Sequence, residues 1–152
     1  MSAGVRAAAL SDAALLALLH GECFDDAWDG PAFHRLMERP GTFALLCGEA
    51  ETYSQAFILV QVAADEAEIL SLGTALPARR KGFARQLVRA SADEAHRLGA
   101  TAMFLDVAED NHAAIALYAS AGFAVCGQRT HYYRRREQPP VDAVLLRAGL
   151  PL

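Results

Sequence analysis

Cysteine is scarce in this chain, and its placement builds no framework. Cys23, Cys47 and Cys126 are scattered, odd in number and free of CxxC spacing. That argues against a disulfide scaffold or a zinc site and for a reducing setting such as the cytoplasm. His20, His34, His96, His112 and His131 show no metal-ligand spacing, so no metal is expected. Basic residues are outnumbered, 14 against 18 acidic ones, for a net charge of −4. A general nucleic-acid binder is usually basic, so no nucleic-acid partner is expected. No apolar run is long enough to span a bilayer, and no basic segment followed by a long apolar one opens the chain, so neither a membrane partner nor a signal peptide is expected. The phosphate-loop pattern G-x-x-x-x-G-K-[ST] and the dinucleotide pattern G-x-G-x-x-G are both absent.

What remains is a globular balance, 53% hydrophobic and 21% charged. The 152 residues suit a single domain, 1–152, with enough length for a real core. There is no internal repeat, linker or low-complexity tract. Val5–Leu10 reads as a first strand. Ser11 and Asp12 offer a helix cap, and Leu15, Leu16, Leu18 and Leu19 continue in helical register to His20–Gly21. An acidic loop with Phe24 and Trp28 follows. A second helix starts at Pro31 and stops at Pro40–Gly41. Thr42–Cys47 and Gln55–Ala63 read as strands, the second apolar on both faces and therefore central. Ala67–Thr74 is the next strand. Ala84, Leu87, Val88, Ser91, Ala95 and Leu98 form one buried helical stripe that Gly99 ends. Thr101–Val107 is a strand, Asn111 caps a helix running to Gly122, Phe123–Tyr133 is a long strand, Arg134–Pro140 a charged loop and Asp142–Arg147 a closing strand. This alternation argues a mixed α/β sheet flanked by helices.

The stretch that organises the chain is AEILSLGTALPARRKGFA, residues 67–84. It reads as strand, basic turn and helix start. A helix start carries unpaired N–H groups and partial positive charge, which makes it an anion site. Arg79, Arg80 and Lys81 strengthen the case for a phosphate. The small Gly82 and Ala84 allow close backbone approach. The bland alternative is a solvated basic turn.

The spacing Arg79-x-x-Gly82-x-Ala84 resembles the acetyl-CoA pyrophosphate loop of the GCN5-related (GNAT) N-acetyltransferase superfamily. A longer pattern points the same way. Leu105-Asp106-Val107, then Asn111 through Tyr118, then Gly122-Phe123 resemble L-E-V-x-x-x-N-x-x-A-I-x-L-Y-x-x-x-G-F, typical of the bacterial ribosomal-protein alanine N-acetyltransferases. His131-Tyr132-Tyr133 with Asp142-Ala143 resembles their N-Y-Y … E-D-A ending, and Phe24 with Trp28 their F-x-x-x-W substrate loop. The resemblance spans most of the chain, most strongly Ala67 to Leu146.

The resemblance implies a mostly antiparallel sheet with a splayed central strand pair, acetyl-CoA as acyl donor, and a protein or peptide N-terminus or a small amine as acceptor. Residues 79–85, namely Arg79, Arg80, Lys81, Gly82, Phe83, Ala84 and Arg85, would hold the pyrophosphate. The backbone of Leu72, Gly73 and Thr74 would bind the pantetheine arm and polarise the thioester carbonyl, with Asn111 nearby. Tyr118 would protonate the departing thiolate; its bland reading is a core aromatic. Asp106 would be the base toward the amine where the family usually carries Glu, so a water or Glu68 could share that task. Trp28, Tyr132 and Tyr133 would line the acceptor groove. Asp25, Asp26 and Asp29 suit a basic peptide, whereas Arg134–Arg136 would repel one. Three functions stay open: N-terminal acetylation, most simply of a ribosomal protein beginning with alanine; acetylation of a small amine; and a non-catalytic CoA-binding sensor.

Overall fold

The computed structural model describes residues 4–50, 53–135 and 138–152. Seven strands form one sheet: β1 (Val5–Ala7), β2 (Thr42–Cys47), β3 (Ala56–Ala63), β4 (Glu66–Thr74), β5 (Ala102–Ala108), β6 (Ala124–Arg135) and β7 (Gln138–Gly149). Their order is β1-β2-β3-β4-β5-β7-β6. Every neighbouring pair is antiparallel except β4 and β5. That parallel pair is joined by a crossover through α3 (Phe83–Arg97), as a parallel connection requires. The mixed, mostly antiparallel sheet expected from the sequence is therefore present. No described helix is long and apolar enough to cross a membrane.

β3 separates two cores. Ile58 and Val60 pack with Leu87, Val88 and Ala95 of α3 and with Tyr118 of α4 (His112–Ser120). Phe57 and Leu59 point the other way, into a core with Leu16 and Leu19 of α1 (Ala13–Cys23) and Phe33 of α2 (Gly30–Met37). The two-faced apolar pattern of this strand is what a central strand covered by helices requires. Each buried Leu, Ile, Val or Phe among these contributes about 1.5–3 kcal/mol.

The feature that makes a site possible is a failure of pairing. β4 and β5 pair only at Glu66–Ala102, Ala67–Met103 and Glu68–Phe104. Just beyond, β4 carries a bulge. Val60 pairs with Ile69 and Leu59 with Ser71, which leaves Leu70 without a partner on β3. A bulge bends and twists its strand. It also flips the side-chain alternation, so Ile69 and Leu72 both join the α3-side core while Leu70 joins the opposite one. From Ile69 to Thr74, β4 turns away from β5 and the two strands splay.

Several expectations need correction. The first strand ends at Ala7, and α1 runs on to Cys23. Asp12 does not cap α1 through its side chain. Its carboxylate accepts from the Ala9 N–H at 2.8 Å and from both terminal nitrogens of Arg6 at 3.0 Å. α2 begins one residue early, because the Asp29 side chain caps it by accepting from the Ala32 N–H at 2.9 Å. Leu98 is 42% exposed, since the helix ends at Arg97 and Ala100 takes the buried position beyond it. Arg134–Pro140 is not a loop. β6 continues through Arg135 and β7 starts at Gln138. Pro139 and Pro140 are tolerated because β5 pairs with β7 only from Ala143 onward, so no ladder on that side needs their missing N–H groups. Arg136 lies outside the described residues.

Candidate active site

The basic turn leads into an open helix start. Gly82 caps α3 with φ of +84°, and no atom lies within 4 Å of the place a Cβ would occupy. Among the described residues, no side chain caps the first N–H groups of α3. Around this open end, the basic residues take different parts. The Arg79 Nε donates to the Thr74 carbonyl at 3.1 Å, and the Cys23 thiol donates to the same oxygen at 3.5 Å. Lys81 pairs with Glu49. Arg85 donates to the Ser120 hydroxyl at 2.9 Å, tying α3 to α4. Arg80, with φ of +66°, is exposed and has no side-chain partner among the described residues. Phe83 is buried and anchors the turn. An uncapped helix start with free space over its glycine and cations beside it fits a pyrophosphate.

The splay opens a cavity of about 560 Å³. Leu72 of β4, Val107 of β5, and Asn111 and Tyr118 of the α4 segment line it. Asn111 starts α4 as expected, its side chain accepting from the Ala114 N–H at 3.2 Å. Tyr118 is 4% exposed and meets Phe123 edge to face at 5.5 Å. Burial holds its phenol well above the ordinary tyrosine range, helped by nearby Tyr133. Gly73 turns away from this cavity. A Cβ there would stand 2.8 Å from both the Cys23 Sγ and the Phe57 ring.

A second cavity of about 620 Å³ lies on the α2 side of the sheet. The two cavities meet along Trp28, Ile69, Leu70, Asp106 and Tyr133. Asp106 also lines a smaller pocket of about 260 Å³ with Glu68 and Arg129. The Asp106 side chain is 12% exposed, and its Oδ1 makes no hydrogen bond among the described residues; the nearest cation is the Arg129 Nε at 3.5 Å. Burial, and next the Asp106 charge, push the Tyr133 phenol up to about 12. Tyr132 packs edge to face on Tyr133 at 5.1 Å, and the Arg129 guanidinium lies 5.1 Å from the Tyr132 ring centre. The sequence expectation that Trp28, Tyr132 and Tyr133 share a groove thus meets a cavity that all three line.

Two devices behind this groove were not foreseen. The first is His20, 3% exposed at the end of α1. Its ring stacks on Phe24 at 4.4 Å and on Trp28 at 4.6 Å, and its Nδ1 accepts the Trp28 backbone N–H at 3.1 Å. That acceptor role assigns the neutral ring with its proton on Nε2. The spacing of His20 and Phe24 on a helix hints at contact, but the loop that returns Trp28 to them leaves no sequence signal. The second is Asp142. Between the pairs Arg129–Ala143 and Tyr133–Val141, three residues of β6 oppose one of β7. His131 takes φ of +51° there. The Asp142 carboxylate accepts from the His131 N–H and the Gln128 amide, both at 2.7 Å. This irregularity sets the consecutive Tyr132 and Tyr133 against the same cavity, which regular alternation forbids.

Burial pushes the Cys23 and Cys47 thiols up, so neither is prepared as a thiolate. Comparison with known proteins now bears on the geometry. The acetyltransferase (GNAT) family model matches residues 15–123. A [ribosomal protein bS18]-alanine N-acetyltransferase of Salmonella typhimurium is 36% identical over 103 residues, 68% of each chain. The N-alpha-acetyltransferase RimI of Mycobacterium tuberculosis is 33% identical over 129 residues, 82% of this chain and 80% of that one. Among solved structures, the ribosomal-protein-S18-alanine N-acetyltransferase of Escherichia coli superposes with a TM-score of 0.88 at 23% identity, covering 97% of this chain and 94% of that one. The family resemblance read from residues 79–84 and 105–123 is therefore borne out, and the chain belongs to the acetyltransferase (GNAT) family, an N-acetyltransferase that takes its acyl group from acetyl-CoA.

Proposed function

We propose that this chain acts as one catalytic domain that acetylates the α-amine of a protein N-terminus, with an N-terminal alanine of a ribosomal protein as acceptor. The observation that carries this reading is the meeting of two cavities at Asp106. One cavity is lined by Leu72, Asn111 and Tyr118, on the side proposed for the donor, and the other opens on the α2 side between aromatic walls. Donor and acceptor would thus reach one carboxylate from opposite sides. The names of the two curated relatives support an N-terminal amine, and alanine in particular.

Residues 79–85 hold the pyrophosphate, with the open N–H groups of α3 supplying most of the attraction and Arg80 a free cation. The unpaired edge of β4 offers backbone groups to the pantetheine arm, and the Leu72–Thr74 stretch polarises the thioester carbonyl. The Thr74 carbonyl itself is already taken by Arg79 and Cys23. Acetyl-CoA supplies the acetyl group and a thiolate leaving group. Asp106, whose Oδ1 has no hydrogen bond of its own, takes the proton of the incoming ammonium directly or through a water. The freed amine attacks the carbonyl, forming the C–N bond as the C–S bond breaks; the nitrogen then releases its second proton to solvent, and solvent returns a proton to Tyr118 after it has acted. Tyr118 gives its proton to the sulfur. Its raised pKa keeps it protonated across the physiological range, as an acid must be. With Cys23 and Cys47 held as thiols by burial, transfer within a ternary complex is favoured. Holding both reactants at one point provides much of the acceleration.

The test is CoA release with mass analysis of the product, offering alanine-starting peptides, amine-blocked lysine peptides and small amines side by side. Acetate on the α-amine is the expected result, and Tyr118→Phe should lower kcat by about 10²-fold with little change in acetyl-CoA affinity. Turnover of small amines alone would refute the N-terminal reading. Equal losses of kcat and acetyl-CoA binding would refute the acid role of Tyr118.

A further inference from the structure

His20 carries a proton that nothing in the fold uses. A backbone N–H can only donate, so the Trp28 N–H at 3.1 Å fixes Nδ1 as its acceptor and leaves the proton of the neutral ring on Nε2. That Nε2–H has no hydrogen-bond partner among the described residues. Burial holds the ring below the ordinary imidazole pKa, so it stays a neutral donor around neutral pH. An unpaired donor on a side chain only 3% exposed burdens the fold unless a ligand meets it.

What covers the ring decides where the donor points. Phe24 and Trp28 stack on it at 4.4 and 4.6 Å, and two rings so close and so nearly parallel take opposite faces. The Nδ1 edge meets the Trp28 backbone. Both faces and that edge are closed, yet His20 lines the cavity of about 560 Å³, so it reaches the cavity by the edge that carries Nε2. Nor is Nε2 sealed: the sealed, unpaired side-chain polar atoms among the described residues are Thr42 Oγ1 and Asp106 Oδ1. The ring also packs on Phe33 and Phe57 of the core beneath α1 and α2, against which Trp28 packs too. Tyr118 belongs to the opposite core. The free donor therefore enters the cavity from the acceptor side, and it shares the cavity with Asp106.

From this arrangement we infer that His20 is an acceptor-binding residue: its Nε2–H donates to the carbonyl oxygen of the acceptor's first peptide bond. The inference rests on the α-amine reading above and deepens it. Only the α-carbon and the carbonyl carbon separate an N-terminal amine from that oxygen, so one acceptor meets Asp106 and His20 together. A simple amine has no such oxygen to offer and leaves the donor unpaired. The Trp28 N–H takes part by fixing the tautomer, since a ring protonated on Nδ1 would present a lone pair to the carbonyl instead of a proton.

The experiment measures kcat/KM for an alanine-starting peptide and for its depsipeptide twin, in which the first peptide bond is an ester and the carbonyl a weaker acceptor. Mass analysis locates each product, and calorimetry gives the acetyl-CoA affinity. The parent should favour the amide by roughly three- to tenfold, the worth of one neutral hydrogen bond. His20→Asn keeps an oxygen for the Trp28 N–H and removes the Nε2 donor. It should lose a similar factor on the peptide, use amide and ester nearly alike, and bind acetyl-CoA as the parent does. Equal use of amide and ester by the parent would overturn the inference whether or not the variant folds. A His20→Asn protein that keeps the parent's preference would overturn it too. So would one whose acetyl-CoA affinity falls as far as its peptide kcat/KM, since the bond would then be to a carbonyl of the donor. Each of these leaves α-amine acetylation intact, whereas a parent that acetylates no α-amine would remove the reading on which the inference rests.

Discussion

Gly73→Ala is the sharpest test of how the donor strand is held. The new methyl would sit 2.8 Å from the Cys23 Sγ and 2.8 Å from the Phe57 ring, and 3.3 Å from the Cys23 Cβ. Carbon contacts are comfortable at about 3.5–4.0 Å, so something must move by several tenths of an ångström. Phe57 is fully buried in the core beneath α1 and α2, and Cys23 is the last residue of α1. The cheapest relief is to push the end of α1 off the sheet. Overpacking of this kind costs about 1–3 kcal/mol, and in a chain of this size each kcal/mol shifts Tm by roughly 2–4 °C. Thermal unfolding followed by circular dichroism should therefore show a loss of about 2–12 °C. Cys23→Ala removes one of the clashing atoms, so the double variant should recover part of the loss, giving a favourable coupling in the cycle. Because His20 and Phe24 flank the same helix end, the acceptor KM should rise in Gly73→Ala and recover in the double variant. An unchanged Tm for Gly73→Ala, or additive losses in the cycle, would refute the packing argument and return Gly73 to a purely cofactor-facing role.

Two further outcomes follow from the devices behind the groove. Burial lowers the His20 pKa below the free imidazole value, so the folded protein resists a proton that the unfolded chain accepts. Stability from this residue is complete above about pH 6.5 and is lost as pH falls below it; His20→Gln should show a smaller drop in Tm between pH 7.5 and 5.5 than the parent, and an equal drop would count against the buried neutral ring. Asp142→Ala removes the acceptor for both the His131 N–H and the Gln128 amide; the acceptor KM should rise severalfold with the acetyl-CoA KM unchanged, Asp142→Asn should retain part of the function, and parallel changes in both constants would show a general structural defect instead.

Most of the architecture could be read from periodicity and punctuation. The Leu87–Ala95 stripe, the two-faced strand at residues 56–63 and the Asn111 cap are local signals, and local signals survive folding. The donor side of the site was legible for the same reason: the basic turn, Gly82 and the helix start are adjacent in sequence. The acceptor side was only partly legible. Trp28, Tyr132 and Tyr133 stood out as aromatics, but Arg129 looks like a solvated charge until β6 is laid beside the sheet. The Leu70 bulge left no mark, because a bulge is a mismatch between two strands and neither strand shows it alone. The charged run after Tyr133 misled by composition. Charge and proline forbid a central strand, yet a hairpin that projects past its neighbour meets no such prohibition.

The splay of β4 from β5 has a consequence for how the molecule exists between turnovers. Only three residue pairs join these two strands, so the sheet behaves as two leaves sharing a short spine. Along the open edges, backbone groups that a strand would have satisfied are left to solvent. A pantetheine arm carries amides, and seated on such an edge, as proposed above, it would act as a temporary strand. The protein would then be most complete as a fold when charged with its acyl donor, and least complete just after releasing the spent carrier.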